Sequence, residues 1–122
     1  MKPAYFPSLL FLATLGLTLA SLSAVSFMWQ DSAALTAITA AISTFILAMK
    51  RDWKEAVFYA GAGVMGASAE STAIFFGAWS YSAPDFAGIP FWLPFLWGIA
   101  AVFLIRAWKE LEYFTSFVKA SR

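Results

Sequence analysis

No residue between positions 3 and 30 carries a formal charge, and none between 32 and 49 does. The next such run, residues 56–84, holds a single charged side chain, Glu70. Runs of this length leave the backbone few choices. Crossing a bilayer takes about 20 mostly apolar residues at roughly 1.5 Å each. Away from water every N–H and C=O must be paired within its own segment, and a helix does that. Four segments qualify: residues 5–28, 32–49, 56–79 and 90–105, the last extending into a turn at 106–112. The pattern predicts an all-α membrane protein, four transmembrane helices in an antiparallel up-down bundle, forming a single domain over residues 1–122. Composition points the same way, since 12% of residues are charged and an ordinary soluble domain carries about 25%.

Charge placement orients the bundle. An excess of Lys and Arg marks the cytoplasmic side. With both termini inside, Lys2, Lys50, Arg51, Lys54, Arg106, Lys109, Lys119 and Arg122 all fall there, while the outer joints carry only Asp31 and Asp85. The expected location is the cell (inner or plasma) membrane, multi-pass. Trp29, Trp79, Tyr81 and Trp92 fall at the outer boundary, and Tyr5, Trp53, Tyr59, Trp108 and Tyr113 at the inner one, as amphipathic rings favour. The first segment begins like a secretory signal, with Thr18-Leu19-Ala20 as a cleavage site. Its apolar run continues to Met28, longer than a signal core, so an uncleaved helix is expected.

The chain has no Cys, no His and no Asn. Thiol catalysis, disulfides, Cys/His metal sites, His-ligated haem and a Ser-His-Asp triad are excluded within one chain, and no cofactor or metal is expected. Nucleic acid is not an expected partner, because net charge is +1 and the basic residues spread along one membrane face.

Glu70 is therefore the candidate catalytic acid/base. Ionisable groups at membrane depth are costly and mark functional sites by default. At helical spacing Glu70 shares a face with Gly63, Gly66, Ala67, Ala73 and Gly77. Gly63, Gly66, Ala67 and Gly77 are read as helix-packing positions, which places the carboxyl on a packed seam away from lipid. Thr14, Thr18 and Ser21 on the first helix, with Thr36, Thr39 and Ser43 on the second, are its available hydroxyl partners, and Glu70 reads either as a protonated packing device bonded to them or as a proton-accepting or substrate-contacting acid. Gly61, Gly63 and Gly66 also spell a dinucleotide-loop pattern, but without a preceding strand they read as close helix packing. Beyond Glu70, the residues Trp79, Tyr81, Trp92 and Trp97 form either an interface belt or the ligand-binding walls of an aromatic mouth. Asp85 is expected to be solvated.

Glu70, Gly77, Trp79, Tyr81, Gly88, Pro90, Pro94 and Trp97 together make an acid, a Gly-aromatic-x-Tyr turn, a Gly-x-Pro stretch and a Pro-x-x-Trp run. Over residues 70–97 this resembles the integral-membrane carotenoid-biosynthesis family that includes carotenoid 1,2-hydratases. The resemblance implies an intramembrane site for a polyene or isoprenoid. Three function classes follow. The first is a site around Glu70 handling an apolar, lipid-like or isoprenoid molecule. The second is a proton-coupled small transporter acting as a homo-oligomer, with the physical economy of small multidrug transporters. The third is an accessory or structural subunit that binds another membrane protein. The lipid bilayer is the partner common to all three.

Overall fold

The computed structural model describes residues 4–122. Lys2, one of the basic residues in the orientation argument, lies outside the described residues. Four helices account for the architecture: α1 (Leu9–Met28), α2 (Ser32–Met49), α3 (Trp53–Phe75) and α4 (Leu93–Ala120). The chain is all-α as expected.

Local chemistry sets the boundaries. Ser8 caps α1 by accepting from the Phe11 N–H, Asp31 caps α2 from Ala34, and Asp52 caps α3 from Lys54. Each satisfies one of the N–H groups that a helix start leaves unpaired. Asp31 and Asp52, read in the sequence only as charges, are therefore structural stops between helices. Pro94 lies in the first turn of α4, where no N–H is needed.

The starts of α1, α3 and α4 lie three or four residues from expectation, and two helix ends differ as well. The third helix ends at Phe75 instead of continuing to Trp79. Gly77 adopts φ +86°, the Ala78 N–H reaches back to the Ala73 carbonyl, and the Gly77 N–H reaches Ile74. That is a left-handed C-terminal cap, so Gly77 terminates α3 and is not a helix-packing residue. The fourth helix does not turn at 106–112 but runs unbroken to Ala120. Its extension is held by the chain entrance: Tyr5 packs on Tyr113, Phe114 and Phe117, and Glu110 accepts from the Tyr5 hydroxyl and the Ser8 N–H, both at 2.8 Å.

Side-chain contacts give the chain directions. Thr14, Ile46, Glu55 and Arg106 meet at one end of the bundle, while Ser32 meets Asp85 and Glu70 meets Trp97 at the other. Successive helices therefore run up and down. α4 is the hub: α3 packs chiefly on it, and α1 and α2 pack on it and on each other. One core cluster is built on Leu35, Ala67, Ile89, Trp92 and Leu93, and a second on Ile46, Ile99 and Val102.

Many large apolar side chains stay outside these clusters. Leu9 (85%), Phe27 (84%), Met65 (73%) and Phe45 (62%) are largely exposed. α1 and α2 are long and apolar enough to cross a membrane, with mean hydropathies of 1.9 and 1.8 and only 17% and 22% of each buried. α3 and α4 do not meet that measure: α3 is interrupted by Glu70 and many small residues, and the second half of α4 is charged.

Candidate functional site

Gly63 and Gly66 determine how closely α3 approaches α4. A Cβ on Gly63 would stand 2.9 Å from the Pro94 carbonyl oxygen, and one on Gly66 would collide with the Trp97 ring. Ala67, 6% exposed, lies in the same seam. With its ring lying over Gly66, Trp97 turns its indole N–H to Glu70, one turn further along α3.

The second grip on Glu70 comes from the loop of residues 76–92. Its tip is a tight turn in which Phe86 and Ile89 exchange backbone hydrogen bonds of 3.0 and 2.9 Å, with Ala87 (φ 51°) and Gly88 (φ 82°) both left-handed. The turn is pinned back on α3 by the Ser71 hydroxyl, which donates to the Ala87 carbonyl at 2.7 Å. Asp85 ties it to α2 by accepting from the Ser32 hydroxyl, and it accepts from the Phe91 N–H at 2.9 Å. Those bonds, Ser32 first, hold the Asp85 carboxyl below the usual carboxylate range. Asp85 is exposed, as expected, and its bonds make it a strut of the loop as well. So tethered, the loop brings the Tyr81 hydroxyl to Glu70 and sets the Tyr81 ring edge-on to Trp92 at 6.1 Å. Burial, with the Glu70 carboxylate beside it, holds the Tyr81 phenol far above its ordinary range, so it remains a proton donor.

One Glu70 oxygen therefore accepts from Tyr81 and the other from Trp97. This corrects the expected partners. Thr14, Thr18, Ser21, Thr39 and Ser43 instead donate to carbonyls one turn back, as hydroxyls in apolar helices commonly do. The position is corrected too: Glu70 is partly exposed at the edge of the α3–α4 seam and is not sealed within it.

What it faces is a groove of about 560 Å³ with α4 as its floor, α1 along one side, and Glu70 of α3 with Tyr81 of the loop at its head. Glu70, Tyr81, Trp92 and Trp97 line one end; Thr18, Leu22, Ala100 and Phe103 continue it toward the Arg106 end of the bundle. The volume falls within the range of small-molecule sites. Trp92 is 4% exposed and belongs to the core as well as to the groove wall, so it is not a boundary ring. Trp79 stands apart, 48% exposed, and does not line the groove. Among the described residues no three carboxylates gather to hold a metal ion.

A second polar constellation was not foreseen. Arg106, counted in the sequence among the basic residues of the inner surface, is 2% exposed. Its guanidinium donates to Glu55 Oε1 at 3.0 and 3.3 Å, to Thr14 Oγ1 at 2.8 Å and to the Ile46 carbonyl at 2.9 Å. It thereby touches all four helices. Glu55 Oε2 makes no hydrogen bond, and Lys50 and Lys109 each place Nζ 3.8 Å from it. The available signal was spacing: Ile99, Val102 and Arg106 recur on one helical face, as do Glu55, Tyr59, Gly63 and Gly66.

No protein-family model, no curated protein and no solved structure matches the chain.

Proposed function

We propose that the chain is a multi-pass protein of the cell membrane, with its charged Arg106–Glu55 end toward the cytoplasm. In this reading Glu70 works on an apolar, lipid-like or isoprenoid molecule lying in the groove. The membrane reading is supported by α1 and α2, whose side chains are apolar and mostly unburied, and by the large exposed residues named above. Contiguous apolar surface on that scale belongs against lipid or a partner. α3 and α4 cross beside them, and the basic residues gather at one end as the cytoplasmic rule requires.

One observation carries the site: a carboxyl gripped by Tyr81 and Trp97 at the head of an apolar groove. Two donors fix its orientation and leave acceptor sites on both oxygens open toward the groove. A positioned carboxyl beside a double bond or hydroxyl can give or take a proton there. The resemblance to the carotenoid-biosynthesis family supports an isoprenoid occupant, since Glu70, Tyr81 and Trp97 converge while Gly77, Gly88 and Pro90 shape the loop between them.

Glu70→Gln is the test. It keeps the volume, its amide oxygen can accept from the Trp97 N–H and its NH2 can donate to the Tyr81 oxygen, but it cannot transfer a proton, so the variant should insert and fold yet lose turnover of the bound molecule. Glu70→Ala should in addition destabilise by about 1–3 kcal/mol, because Tyr81 and Trp97 lose their acceptor. A Gln variant with full activity would retire the acid/base role.

A second reading, assembly with another membrane protein or a second copy, is favoured by an apolar concavity on the outer face of α3. Val57, Gly61, Met65 and Ala69 line it, and a Cβ on Gly61 would meet nothing within 4 Å.

A further inference from the structure

The groove is polar at one end only. Glu70 and Tyr81 stand at its outer head, and from Trp92 to Leu104 its floor follows α4 for about 18 Å. Thr18, at the inner end, is 8% exposed and spends its one hydroxyl proton on the Thr14 carbonyl, so it has no hydrogen to donate to an occupant. Beyond the head, Tyr81 and Trp92 also wall a neighbouring concavity of about 310 Å³ that contains Ser26, Ser80 and Ser82. Polar surface therefore continues outward from Glu70 and stops inward of it.

The inner end has a wall. Phe103 of α4 stacks on Phe11 of α1, with ring centroids 6.2 Å apart and planes 24° from parallel. This pair joins α1, the side of the groove, to α4, its floor. One turn further on, Arg106 binds Thr14 and Glu55 inside the bundle. A chain that continued between α1 and α4 would have to separate the rings and then approach a buried ion pair. Both are unfavourable, so the limit should be sharp.

We propose that the occupant is a single-chain amphiphile whose hydroxyl-type end sits at Glu70 and Tyr81, and that Phe103, stacked on Phe11, sets the longest chain accepted. The identification of the site rests on the function proposed above, but the length limit does not depend on proton transfer by Glu70. A hydroxyl end can donate to the open acceptor sites of Glu70, while its chain replaces lipid or detergent along Leu96, Ala100 and Phe103.

The probe is a homologous series of straight-chain primary alcohols, added to the full-length purified chain in a mild detergent. Binding is read from the fluorescence of Trp92 and Trp97, which line the groove, and from the shift in thermal stability. Affinity should climb with chain length to a cut-off and then fall by about tenfold for each methylene too many. Phe103→Ala should move the cut-off to longer alcohols and Phe103→Trp to shorter ones. Leu111→Ala, at an exposed position on the α4 extension, should leave it in place. If Phe103→Ala does not fold, Phe11→Ala carries the same expectation. Glu70→Gln should weaken the whole series without moving the cut-off. An absent cut-off, or one unmoved in folded Phe103 and Phe11 variants, overturns the length limit. A cut-off that moves as expected while Glu70→Gln retains full turnover would sustain the limit and remove only the acid/base function. Retention of a stoichiometric helical protein in the groove, with no response to any alcohol, overturns the amphiphile altogether.

Discussion

The two charged sites differ in what they ask of their surroundings. Glu70 is held by two neutral donors beside an opening, an arrangement suited to meeting a ligand. Arg106 is enclosed, and its partners come from α1, α2 and α3. Removing one member of a buried pair strands the other charge, so Arg106→Ala and Glu55→Ala should each cost about 3–5 kcal/mol. The double variant should cost clearly less than the sum of the two, measured as a cycle of denaturation in detergent. Additive losses would mean that the pair does not act as a unit. Asp85 gives a residue-scale pH prediction. Its folded pKa is depressed, so its contribution to the loop is complete above the ordinary carboxylate value of about 3.9 and is lost as pH falls through the lower folded value. Exchange of the Phe91 amide should accelerate in that acid window, and Asp85→Asn should abolish the dependence. Equal sensitivity in the Asn variant would assign the effect elsewhere.

Among the elements, α3 separates what is legible in sequence from what is not. Its packing face could be read from Gly63, Gly66 and Ala67, because small residues at helical spacing have one common use in apolar helices. Its end could not, since Gly77 continues the same spacing while serving as a cap. α2 was legible to the residue, from Ser32 to Met49, because charges bound it on both sides. The extension of α4 was not, because its charges read as an exit from the membrane and the packing of Tyr5 on Phe114 leaves no periodic trace. The grip on Glu70 was half legible: Trp97 and Tyr81 were candidates for a ligand wall, but their bonds depend on how the loop of residues 76–92 folds back, which no periodicity encodes. Gly66→Leu should therefore separate α3 from α4, with overpacking worth about 1–3 kcal/mol or more given the Trp97 ring in the way. Gly61→Leu, facing open space, should leave the monomer's stability close to wild type. Equal damage at both positions would contradict this placement of the seam.

As a whole, the molecule is a hub helix with three others around it and a groove left open where α1 and α3 do not meet. The proposed orientation puts residues 29–31 and 76–92 outside and residues 50–52 inside. Gln30, Arg51 and Ser82 are exposed and suit cysteine labelling better than the neighbouring Asp31, Asp52 and Asp85, which are engaged in caps and loop bonds. Membrane-impermeant reagent should label positions 30 and 82 from outside and position 51 only after the membrane is opened. Labelling of position 51 from outside would reverse the orientation. The central claim is that the groove beside Glu70 holds a small apolar molecule. Mass spectrometry of what co-purifies with the wild-type chain and with Ala100→Trp, which fills the groove floor, tests it most directly. The account predicts a defined amphiphilic or isoprenoid species on the wild type that is absent from a folded Ala100→Trp variant. The same species in equal amount on both, or bulk lipid alone on the wild type, would contradict it.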